Sequence, residues 1–139
     1  MIQQLLKTRD RSRNLEANQR EVIELLRAMV LAPPAEAERL HAMFLDQRGS
    51  FLGDAPIGNS YSSSLSLRMR ELFEMAFEMG ASGIILAHNH PSGNCRPSQY
   101  DVDSTRRLKQ VAQALDIELL DHLIFTRDAV YSMRAGGNL

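Results

Sequence analysis

Tryptophan is absent from this chain, cysteine occurs once, and aromatic side chains make up only 6% of the 139 residues. A single cysteine closes no internal disulfide, so nothing calls for an oxidising compartment and the cytoplasm is the expected location. Apolar runs are short: VIELLRAMVLA (22–32) carries Glu24 and Arg27, lacks the flanks of a signal peptide, and falls far below the roughly 20 residues that a membrane span requires. An excess of one charge is missing too. With 16 Lys and Arg against 17 Asp and Glu the formal net charge is −1, which lends tight nucleic-acid binding no support. The nearest basic patch, Lys7, Arg9, Arg11, Arg13 and Arg20, has no interleaved aromatic residues on which bases could stack and reads as a solvated arm.

What is present suffices for one core, since 44% of the residues are hydrophobic. Leu15, Val22, Leu25, Leu26, Met29 and Val30 recur at helical spacing until APP (32–34) interrupts them. The stretch 1–34 is therefore an N-terminal helical segment that packs on the core or docks elsewhere. ERLHAMFLD (38–46), the turn QRGS (47–50) and FLGDAPIG (51–58) predict a β-hairpin, and the polar stretch 59–66 a connection. LRMRELFEMAFEMG (67–80) predicts a helix with Leu72, Phe73, Ala76, Phe77 and Met79 on its apolar flank and Gly80 just past its end. GIILA (83–87) is a continuous apolar run, the pattern of a central strand covered on both faces. Val102, Thr105, Leu108, Val111, Ala112 and Leu115 mark a helix over 98–115, with strands at IELLDHLIF (117–125) and AVYSM (129–133). This order is α/β, with a right-handed crossover through the 98–115 helix.

Chemistry concentrates in AHNHPSGNCRPSQYD (87–101). His88 and His90 stand at i and i+2, so a strand projects both imidazoles to one side. Pro91 and Gly93 turn the chain back, and Asp101 in the first turn of the next helix can bring an oxygen to the same point. Two nitrogens and a carboxylate suit zinc, and three protein ligands leave a fourth position for water, which is the pattern of catalysis rather than scaffolding. SQYD (98–101) also fits a helix-start capping box, Ser98 with an acid three residues on, and a cap needs no metal.

HNHPSGNCRPSQYD resembles the H-x-H-x7-S-x-x-D signature of JAMM (MPN-type) zinc metalloproteases, in the version carried by RadC-like proteins. The resemblance extends to RELFEMAFEMGASGIILA before the motif and DVDSTRRLKQVAQALDIELLDHLIF after it. It implies an α/β JAMM/MPN-like domain over 35–139, a mixed sheet flanked by helices in a cytidine-deaminase-like architecture. It further implies zinc on His88, His90 and Asp101, a Ser98 hydrogen bond to the oxyanion, and metal-activated water attacking the carbonyl of a peptide or isopeptide bond. In JAMM proteases the catalytic base is a glutamate at the start of the first strand, and ERLHAMFLD matches that strand, so Glu38 is the implied base. Glu36 and Glu71 are its rivals, and the ordinary reading of each is a solvated surface acid. HNH here only shares its spelling with the nuclease of that name.

Departures are visible. Arg68 and Met69 stand where RadC-like chains commonly carry His-Pro, and the helix-hairpin-helix-like region of fuller RadC proteins is not expected in a chain of this length. Cys95 reads as an exposed loop residue. His122, which recurs beside Asp121 in RadC-like chains, either orients a ligand or is a satisfied strand histidine. His41 reads as structural and Tyr100 as an ordinary helix-start tyrosine. Two other functional classes stand beside the hydrolase: a DNA-repair-associated or DNA-binding accessory protein, and an inactive JAMM-fold interaction module. Exposed N-terminal apolar residues could also pair two chains as a homo-oligomer.

Overall fold

The computed structural model describes residues 13–34, 37–58 and 65–139, leaving aside the side chains of 13–18 and 65–67. Lys7, Arg9, Arg11, the Arg13 side chain and Glu36 therefore lie outside the described part. A mixed sheet is assembled from β1 (Leu40–Leu45), β2 (Phe51–Ile57), β3 (Gly83–Asn89), β4 (Glu118–Phe125) and β5 (Val130–Ser132), in the order β2-β1-β3-β4-β5. It is flanked by α1 (Arg13–Val30), α2 (Leu65–Met79) and α3 (Gln99–Ala114). β1 runs antiparallel to both β2 and β3, β3 pairs parallel with β4 through α3, and β5 returns antiparallel to β4. The predicted hairpin is β1–β2, with the Asp46 carboxylate accepting from the N–H groups of Arg48 and Ser50 at 2.9 and 2.8 Å.

Alternation along the strands decides which helix each side chain meets. Ala42 and Phe44 of β1 and Ile84 and Leu86 of β3 form one core with Leu72, Phe73 and Ala76 of α2 and Leu108 and Ala112 of α3. Their neighbours Met43, Leu45 and Ala87, with Leu123 and Phe125 of β4, meet Val22, Leu26 and Val30 of α1. The sheet is thus the middle of three layers, with α1 on one face and α2 and α3 on the other. That explains why GIILA is apolar throughout: both of its faces are covered. It also assigns His88 its side, since it continues the Ile84–Leu86 row and faces α3. The segment 1–34, where described, contributes α1 to this same core.

Two expectations need correction, and one strand is longer than the apolar run suggests. Phe77 is 58% exposed, because the buried stripe of α2 runs through Leu72, Phe73 and Ala76 and residue 77 falls off its outer edge. Leu115 is 38% exposed at the C-cap, beyond Ala112, the last buried residue of α3. β3 continues to Asn89, since His88 and Asn89 still have strand partners in Ile124 and Phe125 of β4. Among the described residues no helix is long and apolar enough to cross a membrane.

Leu26 is fully buried under the sheet, so Leu26→Ala should lower unfolding free energy by about 2–5 kcal/mol in urea titrations. Phe77→Ala should change it by no more than about 0.5 kcal/mol.

Candidate metal centre

β3 ends where several chain segments meet. His88 is its penultimate residue, and His90, one residue beyond, donates its N–H to the Phe125 carbonyl at 2.9 Å, which carries the parallel ladder past the strand's end. Gly93 then takes φ +88, a conformation in which a side chain would be strained, and its N–H bonds back to the His90 carbonyl at 3.2 Å. Ser98 caps α3 with both bonds of a capping box: Asp101 N–H donates to Ser98 Oγ at 3.0 Å, and Ser98 N–H donates to Asp101 Oδ2 at 2.9 Å. The cap is present, and the same carboxylate faces both imidazoles. Asp101 Oδ2 lies 3.1 Å from His90 Nε2, Oδ1 lies 3.5 Å from His88 Nε2, and the two Nε2 atoms are 2.9 Å apart.

The protonation pattern follows from the outer partners. His90 Nδ1 sits 2.9 Å from the Asn94 carbonyl. A carbonyl only accepts, so neutral His90 carries its proton on Nδ1 and presents a lone pair at Nε2. That lone pair is aimed at a carboxylate oxygen, acceptor against acceptor, which a cation between them satisfies. Burial by itself would raise the Asp101 pKa, but His88, when its ring is doubly protonated and donates from Nε2, and the Ser98 N–H outweigh it, and the carboxyl is held well below the usual carboxylate range. Two imidazole nitrogens and an ionised carboxylate are a donor set that fits a divalent transition metal. Behind them His122 Nε2 lies 2.6 Å from His88 Nδ1. Burial, and then the neighbouring His88, push the His122 pKa down to about 3.

Glu38 arrives from the other side of β3. In the antiparallel register Leu40 faces His88, and two residues further back the chain brings Glu38 alongside His90. Carboxylate and imidazole atoms of Glu38, His88 and His90 lie within 4.8 Å of one another. Asn89, which the sequence reading passed over, fixes this approach. It is 1% exposed; its Oδ1 accepts from Arg39 N–H at 2.6 Å and its Nδ2 donates to the Ala37 carbonyl at 2.9 Å, one bond on either side of Glu38. A signal existed, because a polar residue between two strand histidines points to the opposite face and needs partners there.

The remaining candidates separate cleanly. Glu71 accepts from Gly58 N–H at 2.8 Å and ties α2 to the end of β2, and it is not in the Glu38 group. Ser98 is exposed at the mouth of the site. Cys95 is half-buried and likewise not in the group. His41 pairs with Asp54 at 2.6 Å across the hairpin. Tyr100 is 62% exposed on the rim of a cavity of about 370 Å³ that also takes in Glu38, His88, His90, Ser98 and Asp101.

The family model of the RadC-like JAB domain matches residues 17–138. The chain belongs to the RadC-like JAB domain family. Among curated relatives, a UPF0758 protein of Ruegeria pomeroyi is 36% identical over 104 residues, 75% of this chain and 46% of the relative. One of Syntrophomonas wolfei is 36% identical over 121 residues, 84% of this chain and 51% of the relative. One of Thermosynechococcus vestitus is 40% identical over 97 residues, 70% and 39% of the two lengths. This RadC-like chain thus spans about half the length, or less, of the curated relatives it matches.

Asn89→Ala should cost about 1–3 kcal/mol by leaving buried backbone groups unpaired, and should speed hydrogen exchange at the Arg39 amide. A pH effect follows from His122. Its pKa is about 3 when folded against an ordinary 6.5, so the unfolded chain binds a proton that the folded chain refuses. Stability of the metal-free chain is then intact above about pH 6.5 and falls as pH drops towards 3, by up to about 1.4 kcal/mol per pH unit from this group. Denaturation measured across that window should show a shallower slope in His122→Asn.

Proposed function

We propose that this RadC-like JAB domain is a zinc-dependent hydrolase that cleaves peptide or isopeptide bonds in a protein substrate. The observation carrying this reading is the convergence of His88 Nε2, His90 Nε2 and the Asp101 carboxylate within 2.9–3.5 Å, with Glu38 beside them. Membership in the JAB family supports a metal-dependent hydrolase in general; zinc and the peptide bond are the finer assignment. His88, His90 and Asp101 would hold the metal. When bound, zinc supplies Lewis acidity, polarising a carbonyl oxygen and bringing the pKa of a water near neutrality. Glu38 accepts the proton that the water gives up and returns it to the leaving amine. Ser98 Oγ accepts from Asp101 N–H, and the hydroxyl's own proton is donated to the substrate carbonyl oxygen as charge builds there. Leu86 and Leu108 in the cavity wall offer an apolar surface to a substrate side chain. A single cysteine fits work in a reducing cytoplasm.

A second assignment is favoured by the close grouping of Glu38 with the two histidines, in which Glu38 itself ligates. One set of variants separates the two. Under the first assignment Glu38→Gln keeps its zinc, measured by elemental analysis, while peptidase turnover falls by about 10²-fold or more. His88→Ala loses both. Zinc lost from Glu38→Gln moves Glu38 into the ligand set, and full activity in that variant removes it from the mechanism.

A further inference from the structure

His122 stands next to Leu86 in the parallel register, on the same face of the sheet as His88, and is 7% exposed. Its Nε2 lies 2.6 Å from His88 Nδ1 and its Nδ1 lies 2.8 Å from Thr105 Oγ1. The Thr105 hydroxyl in turn reaches Met133 Sδ at 3.6 Å. Thr105 is 2% exposed and Met133 fully buried, and Met133 N–H donates to the His122 carbonyl at 3.0 Å, which ties the Met133 backbone to the His122 strand. All three side chains are almost entirely buried, so their polar atoms are complemented chiefly by one another.

That requirement gives the chain a direction. A thioether sulfur accepts and has no proton to give, so the Thr105 hydroxyl donates to it and uses a lone pair to accept from His122 Nδ1–H. With its proton on Nδ1, neutral His122 offers only a lone pair at Nε2, and His88 must donate to it from Nδ1. His88 Nε2 is then left with its lone pair facing His90 and Asp101. Reversed, the chain would leave the sulfur without a donor and put a proton on His88 Nε2, aimed at Asp101 Oδ1 3.5 Å away, where it would compete with any cation.

We infer that the Met133–Thr105–His122 chain selects the metal-ligating tautomer of His88, which makes His122 and Thr105 positioning residues for the centre. The inference rests on the metal-binding role proposed for His88, but the tautomer is a property of the metal-free chain and can be read without metal. Long-range proton–nitrogen NMR spectra of the ¹⁵N-labelled, metal-free chain at mildly alkaline pH should show His88 and His122 both protonated on Nδ1. Thr105→Val keeps the shape and deletes the hydroxyl. Zinc affinity, measured by competition with a chromophoric chelator, should drop about 10- to 100-fold, with an Nε2-protonated form of His88 appearing. Thr105→Ser should restore affinity to within a few-fold of wild type. A wild-type His88 protonated on Nε2, or a folded Thr105→Val chain with unchanged zinc affinity, overturns the inference. Should Thr105→Val not fold, the wild-type tautomer decides alone. If the wild-type chain takes up no zinc, the hydrolase assignment falls, while the tautomer of His88 still decides the direction of the hydrogen-bond chain.

Discussion

Everything at the candidate centre depends on the end of β3 lying in the middle of the sheet rather than at its edge. A strand with β1 antiparallel on one side and β4 parallel on the other delivers its last residues to a point where the lead-in of β1, the end of β4 and the first turn of α3 all gather. Open α/β sheets place ligands outside the carboxyl ends of their strands for this reason. Here the gathered groups are electron-pair donors, two imidazoles and a carboxylate within 3.5 Å. Such a set is costly to bury without a cation or protons to share.

The protein holds that set in place with bonds that need no metal. The ladder bond from His90 N–H to Phe125 and the bond from His90 Nδ1 to Asn94 restrain His90, and the capping box restrains Asp101, each from outside the cluster. Asp101 serves twice. Its carboxylate caps α3 through the Ser98 N–H, where the helix N-terminus favours a negative charge, and the same side chain is only 12% exposed beside the imidazoles. A site preorganised in this way loses little conformational entropy when it is filled. Capping and ligation are therefore compatible readings of SQYD, not alternatives.

Local features were legible in the sequence and long-range ones were not. The apolar run GIILA, the i, i+2 histidines and the Ser98–Asp101 spacing each specify their own geometry within a few residues, and the structure keeps all three. Periodicity overshot at Phe77 and Leu115, since a stripe records which face of a helix is apolar but not where the covering layer stops. No periodicity reports that β1 pairs antiparallel with β3, the pairing that brings Glu38 to the histidines; the family resemblance pointed to Glu38, and register explains its position. Asn89 and the Thr105 contact of His122 share that long-range character. Their partners lie 52 and 17 residues away in the chain, so sequence shows only a polar residue in an apolar strand.

The two carboxylates at the centre are restrained very differently, and this difference supports the division of roles between them. Asp101 takes Ser98 N–H on one oxygen and lies in a helical first turn, so it cannot leave without breaking the cap. Glu38 is exposed, on the irregular lead-in to β1, with Asn89 anchoring the backbone on either side of it and leaving the side chain free of that clamp. A ligand is best held at one point, whereas a base must first meet a water proton and then a leaving group. A fixed backbone carrying an exposed carboxylate outside the cap meets the second need, and a carboxylate locked in a helix cap meets the first. Exchanging the roles would ask the capped residue to swing and the exposed one to stay.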